Sequence, residues 1–322
     1  MTEIPTLDLG PYLAGDMDAR ERLAVTLKEI QQTIGFYVVE NHGVPVEPIE
    51  RAYAALEEFF SLPIEEKLEL RIDHRSVGYI PARTTVYVTS KINVNTKPDL
   101  NETITLARER ALDDPAIQQG LRFVGPNPWP KTLPGFRDAM LAYQDAMAGL
   151  GYAMLPLYAR ALDLPADYFE PYFTEPMWWT RNAYYPATEP EDNQFGISPH
   201  SDHGFITLLP LSDVPGLEIL RPDGDWLAAA PVNDGILVNT GEFLNRWSNG
   251  RFLATPHRVV APEQDRYSMA MFFNPNAETL AEPLATCVSS DRPAAFEPVT
   301  MLDYMCWYID RNYKRESGGA QD

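Results

Sequence analysis

Cysteine is nearly absent from this chain: Cys287 and Cys306 are the only two among 322 residues. Two thiols make no disulfide framework, and such scarcity fits a reducing, cytoplasmic setting. Basic residues are outnumbered, 26 Lys and Arg against 46 Asp and Glu, for a net charge of −20. No segment carries a dominant basic patch, which argues against a nucleic-acid partner or an anionic membrane surface. No apolar run reaches the roughly 18–20 residues of a membrane span. The opening Met1-Thr2-Glu3-Ile4-Pro5 has neither the basic nor the apolar region of a signal peptide. Repeats, low-complexity tracts and a linker between autonomous domains are also missing. Histidine is scarce as well: His42, His74, His200, His203 and His257 are the whole set.

What is present is ample apolar material, 45% of residues, enough for a large core. Ile4 to Leu9 reads as a short strand, Asp18 to Ile34 as a helix with Leu23, Leu27 and Ile30 on one face, and Gly35 to Glu40 as a buried strand. A second amphipathic helix follows Pro45, and Ser61-Leu62-Pro63 with Glu65 and Glu66 starts a short third one. Gly78 to Val94 turns towards β. Phe123 to Pro134 is an irregular, proline-rich connector, and Pro134 to Leu162 is the longest helical pattern, expected to back a sheet. From Trp178 to Asn274 the chain reads as short strands separated by turns such as Pro222-Asp223-Gly224-Asp225 and Asn233-Asp234-Gly235, the spacing of a sandwich or barrel. Met301 to Asn312 is a closing helix, and the tail from Glu316 to Asp322 is expected to be disordered.

Within the β-rich part lies His200-Ser201-Asp202. Side chains at i and i+2 of a strand share a face, so this pair can aim an imidazole nitrogen and a carboxylate oxygen at one point. His257, ahead of the strand-like Arg258-Val259-Val260, can close the triangle. Two His and one carboxylate on one face of an octahedral metal, with open positions opposite, make the facial triad of non-haem Fe(II) oxygenases. His203 is the rival ligand. Ser198-Pro199 and the β-rich run after Phe205 oppose a helix, and on a strand His203 faces away from His200; it is placed near the site entrance. His42 reads as a satisfied structural histidine and His74 as solvated.

Arg266 and Ser268 repeat the i, i+2 spacing, and Met269 to Phe273 is almost wholly apolar. A buried guanidinium requires an anion, either a protein carboxylate or a ligand's. On an early strand of the same region, Tyr184 or Tyr185 offers a phenol to the same ligand.

These motifs resemble the isopenicillin N synthase-like family of Fe(II)/2-oxoglutarate-dependent oxygenases, over nearly the whole chain. Ile4 to Leu9 and Gly35 to Val44 are similar to the family's N-terminal module, and Pro98 to Thr103 to a segment bordering its active site. His200-Ser201-Asp202, Thr255 to Val259 and Arg266-Tyr267-Ser268 match its metal and co-substrate motifs. Asn239-Thr240-Gly241-Glu242 matches a core strand, with Glu242 where the family usually has Asp. The resemblance implies a mainly β fold with flanking α-helices around a double-stranded β-helix, a distorted jelly roll. It implies one oxygenase domain over 1–322, with an N-terminal α/β module at 1–125 and the β-helix core carrying the metal site at 175–280.

It further implies iron ligands His200, Asp202 and His257, with Arg266 and Ser268 on the distal carboxylate of 2-oxoglutarate and Tyr185 assisting. One departure stands out: plant members carry Asn two residues before the position of Tyr185, and here Ala183 occupies it, with Asn182 beside it. The implied cofactors are Fe(II), 2-oxoglutarate as co-substrate, and O₂. The implied reaction hydroxylates, desaturates or cyclises a small molecule, such as an amino acid, carboxylate or natural-product precursor, with release of succinate and CO₂. A monomer is expected. Candidate substrate-lining residues are Arg83, Thr84, Thr85, Tyr87, Asn101, Thr103, Phe273 and the closing helix, with Arg83 placed to pair with an acidic substrate. Two alternatives remain: an isopenicillin N synthase-like or ethylene-forming-type oxidase that does not use 2-oxoglutarate, and a non-catalytic jelly-roll protein that binds a carboxylate.

Overall fold

Two β-sheets form the body of the protein. The computed structural model describes residues 3–88, 90, 92–230 and 234–315. The tail from Glu316 and Asn233 of the Asn-Asp-Gly turn lie outside the described residues. The larger sheet has eight strands, in the spatial order Thr6–Asp8, Phe36–Glu40, Ile236–Thr240, Ile206–Pro210, Arg266–Phe273, Trp179–Tyr185, Glu102–Ala107 and Gly78–Ile80. The smaller has four, Trp226–Ala228, Leu217–Leu220, His257–Val259 and Ile197–His200. Within both sheets all neighbours are antiparallel except the first pair, Thr6–Asp8 with Phe36–Glu40. This is the mainly β, jelly-roll architecture that the sequence implies, with helices outside it.

Residues before Gly125 are not a separate body. They supply four of the eight strands of the larger sheet, two at each edge. The inner four strands come from Trp179 onward.

Strand parity decides which side chains meet the site. On Arg266–Phe273, residues Arg266, Ser268, Ala270 and Phe272 face a cavity between the sheets. The alternate residues turn to the opposite face, Tyr267 towards Phe60 and Phe273 towards the long helix Phe136–Ala161. There Tyr143 donates its hydroxyl to the Met269 carbonyl at 2.5 Å. A Cβ on Gly151 would lie 2.7 Å from the Phe273 ring, so glycine permits the close approach of helix to sheet. The long helix matches its expected span closely. So does Met17–Thr33, whose start is fixed by Asp16 accepting from the Ala19 amide at 3.0 Å. The closing helix spans Met301–Asn312 as expected.

The β-rich reading of Gly78 to Val94 is only partly met. Gly78–Ile80 joins the larger sheet, but Arg83 takes a left-handed φ of 60° and turns the chain away. Thr85–Tyr87 then pairs with Tyr313–Arg315 instead.

Candidate metal centre

His200 ends one strand of the smaller sheet and His257 begins its neighbour; the two are direct cross-strand partners, with ring centroids 4.4 Å apart. Asp202 follows His200 by two residues. Its Oδ1 lies 3.8 Å from His200 Nε2 and 3.6 Å from His257 Nε2. All three residues are buried, and their potential ligand atoms lie within 4.8 Å of one another.

The surroundings leave those atoms free and hold the rest. His200 Nδ1 is 2.8 Å from the Ser198 carbonyl, and His257 Nδ1 is 3.3 Å from the Thr255 carbonyl. A proton on each Nδ1 would donate there, leaving Nε2 as a lone-pair donor. Asp202 Oδ2 accepts from Thr207 Oγ1 at 2.5 Å and Asn239 Nδ2 at 2.7 Å, so Oδ1 alone faces the histidines. Burial, and then the neighbouring His257, hold the His200 imidazole well below its ordinary range, in the neutral form that can ligate. Burial would raise the Asp202 carboxyl, but the two histidines and the Asn239 and Thr207 hydrogen bonds outweigh it and keep it low. An imidazole nitrogen from each histidine and one carboxylate oxygen suit a divalent first-row metal.

The segment expected to border the site does so by hydrogen bonding. Asp99 Oδ1 accepts from the Ser198 amide at 2.9 Å and from its hydroxyl at 2.6 Å. Ser198 in turn holds His200. Burial pushes the Asp99 carboxyl up to about 6, against the pull of Ser198 and Arg181. Glu242 donates its amide to the Asp202 carbonyl at 2.7 Å, and its carboxylate accepts from Tyr304 of the closing helix at 2.6 Å.

A narrow cavity of about 60 Å³ runs from the triad between the sheets. Arg266, Ser268 and Tyr185 line it together with all three triad residues. The Arg266 guanidinium is buried; Nε donates to the Val214 carbonyl at 3.1 Å, while Nη1 is buried without a partner. Ala183 also lines this cavity. Asn182 does not: its amide turns to the other face and donates to the Ile104 carbonyl and Thr180 Oγ1.

His203 stays out of the metal cluster, as expected, but it is not at an open entrance. It is buried, stacked on Trp179 at 5.5 Å and on Phe272 at 5.1 Å. With Thr85, Arg181 and Phe123, these residues wall a second cavity of about 70 Å³ that also reaches His200 and Asp202. Thr85 and the closing helix, through Ile309, therefore line a chamber as expected. Arg83 is exposed and Phe273 faces the long helix, so neither does. The sequence reading missed Asn239 and Thr207, and it missed Arg181, although Arg181 shares the strand parity of Tyr185.

Residues 4–132 match the family description "non-haem dioxygenase in morphine synthesis N-terminal" and residues 179–275 match "2OG-Fe(II) oxygenase superfamily". A 2-oxoglutarate-Fe(II) type oxidoreductase of Emericella nidulans is 30% identical over 98% of this chain and 91% of its own. The chain belongs to the 2OG-Fe(II) oxygenase superfamily. Another relative of this oxygenase is kihadalactone A synthase of Citrus sinensis, 32% identical over 94% of this chain and 92% of its own. Among solved structures, a full-length Neurospora crassa protein in complex with alpha-KG superposes with a TM-score of 0.82 at 28% identity, covering 94% of this chain and 95% of that one. The protein is thus an Fe(II)- and 2-oxoglutarate-dependent enzyme that acts with O₂, and the oxidase and non-catalytic alternatives fall away.

Proposed function

We propose that His200, Asp202 and His257 are the iron ligands of this oxygenase, and that Arg266, with Ser268 and Tyr185, receives the distal carboxylate of 2-oxoglutarate. One observation carries this reading: a buried Arg266 Nη1 without a partner and a free Asp202 Oδ1 line the same narrow cavity. A dicarboxylic 2-oxo acid fits that pair of demands, an anion at one end and a metal-chelating group at the other. When bound, ferrous iron and 2-oxoglutarate supply the oxidising chemistry, with O₂ consumed and succinate and CO₂ released. The chain's part is to present three ligands in one orientation, fix the co-substrate's far end, and keep water out with the apolar walls of Leu209, Leu217, Leu237 and Phe272.

The primary substrate is a small molecule that occupies the second chamber, on the Trp179 and His203 side of the triad. The boundaries proposed are those of the sequence: one unit over 1–322, with its N-terminal part at 1–125 and its core at 175–280. A monomer in a reducing cytoplasm is also proposed; Cys287 and Cys306 are unpaired, and no helix among the described residues is long and apolar enough to cross a membrane.

The test is a titration of iron-loaded, anaerobic protein with 2-oxoglutarate. Fe(II) chelated by a 2-oxo acid gives a metal-to-ligand charge-transfer absorption, and the wild type is expected to show it without substrate. A wild type that binds iron but never develops this absorption would overturn the assignment.

A further inference from the structure

We propose that Arg181 is the specificity-determining residue for the primary substrate, and that it receives a carboxylate carried on a flat-ringed molecule. This rests on the reading of the second chamber as the substrate's.

The strand Trp179–Tyr185 sends alternate residues to the space between the sheets. Tyr185 and Ala183 line the co-substrate cavity, Trp179 lines the second chamber, and Arg181 lines both. Four residues separate Arg181 from Tyr185, about 13 Å along a strand. The co-substrate, anchored beside Tyr185, has the small Ala183 next to it. Arg181 stands beyond, where the two cavities meet beside His200 and Asp202.

Arg181 is half-buried, and among the described residues its guanidinium makes no hydrogen bond and no ion pair. Unlike Arg266 Nη1, its nitrogens are not sealed from solvent; they border the cavity and are open to an incoming acceptor. A protein carboxylate within its electrostatic reach is Asp99; its Oδ1 accepts from Ser198, its Oδ2 is buried without a partner, and the residue lines neither cavity. Ferrous iron, Asp202, Arg266 and doubly ionised 2-oxoglutarate together balance, which leaves Arg181 and the buried Asp99 as the further charges on this side; of the two, Arg181 is the one that borders the cavities.

The walls define the rest of the ligand. Phe123 stacks on Trp179 with centroids 5.4 Å apart, and His203 stacks on the same indole nearly in parallel, at 10°. Phe272 lies against His203 at 5.1 Å. Such flat faces select a flat, apolar body. Thr85 Oγ1 and His203 Nε2 are buried without partners, so the chamber also offers one or two hydrogen-bonding groups to a ring substituent.

The experiment uses full-length, iron-loaded, anaerobic protein with 2-oxoglutarate. The probes are benzoate, phenylacetate and cinnamate, each beside its amide. Binding is followed by calorimetry and by perturbation of the charge-transfer absorption. At least one acid is expected to bind and its amide to bind roughly 100-fold more weakly. In Arg181→Met that acid should lose a similar factor while 2-oxoglutarate affinity stays within about threefold; in Arg181→Lys part of the acid's binding should return, because charge without the fork remains. The inference is overturned if acids and amides bind alike, if no acid binds, or if Arg181→Met weakens 2-oxoglutarate instead, which would make Arg181 a co-substrate ligand. Absence of the charge-transfer absorption in wild type is a separate result: it sinks the co-substrate assignment, and calorimetry still decides between acid and amide.

Discussion

The Arg266 guanidinium lies over the ring of Tyr185, 5.0 Å from its centroid, and the two residues are direct partners across adjacent strands. The aromatic face fixes the guanidinium from one side and Val214 holds its Nε from another. What is left pointing into the cavity is a donor edge ready for a carboxylate.

Removing that edge should therefore affect the co-substrate and little else. Breaking one partner of a buried charged pair costs about 3–5 kcal/mol, which is roughly a 10²–10³-fold loss of affinity. Arg266→Ala is expected to need that much more 2-oxoglutarate to reach half of the charge-transfer absorption. Arg266→Lys should fall between it and wild type. Unchanged 2-oxoglutarate affinity in Arg266→Ala would place the co-substrate elsewhere.

His200→Ala, Asp202→Ala and His257→Ala should each abolish substrate-dependent succinate formation and lose iron on desalting, with far-ultraviolet circular dichroism unchanged. His203→Ala should keep its iron, because that ring packs on Trp179 and Phe272 and stands apart from the ligand cluster. If His203→Ala loses iron and Asp202→Ala retains it, the ligand assignment is wrong.

Thr207 and Asn239 both hold Asp202 Oδ2, and they are themselves cross-strand partners. Outer partners of metal ligands commonly contribute roughly 10–100-fold in metal affinity. Asn239→Ala and Thr207→Val should each weaken Fe(II) binding by such a factor, read by competition with a chromophoric chelator, without removing a ligand. Equal iron affinity in both variants and wild type would show that Asp202 needs no such support.

Asp99 gives a pH-dependent outcome. Its carboxyl is raised from 3.8 in the ordinary state to about 6 by burial. The folded protein thus takes up a proton at a pH where the unfolded chain does not. Its contribution to stability is fully present below about pH 4 and is lost as pH rises through about 6. Asp99→Asn keeps an acceptor for Ser198 without the buried charge. The metal-free variant should exceed wild type by about 2–3 kcal/mol at pH 7.5, with the gap closing near pH 4. Urea melts at both pH values measure it; a gap independent of pH would refute the account.

The metal site was legible because its ligands obey a local rule. Two of them sit at i and i+2, and the chain has only five histidines from which to choose. Arg266 and Ser268 follow the same rule. Carrying that parity forward from Arg266 reaches Phe272, not Phe273, so the cavity-facing phenylalanine was already implied by the strand. Counting back from Tyr185 likewise reaches Arg181, whereas Arg83, the cation first considered, sits exposed at a left-handed turn. Thr207 and Asn239 were not legible in this way. They meet Asp202 only because Ile206–Pro210 lies beside Ile236–Thr240, a pairing between distant segments that local pattern does not specify.

The eight-stranded sheet takes both of its margins from residues before Gly125, and its four inner strands from residues after Trp178. The first third of the chain therefore leaves the ribosome with its strands waiting for partners that are not yet made. A fragment limited to residues 175–280 would hold every proposed ligand, yet expose raw backbone along Ile236–Thr240 on one side and Trp179–Tyr185 on the other. Unprotected edges of that kind recruit further strands and aggregate. The smallest soluble catalyst obtainable from this sequence should thus be close to the whole chain.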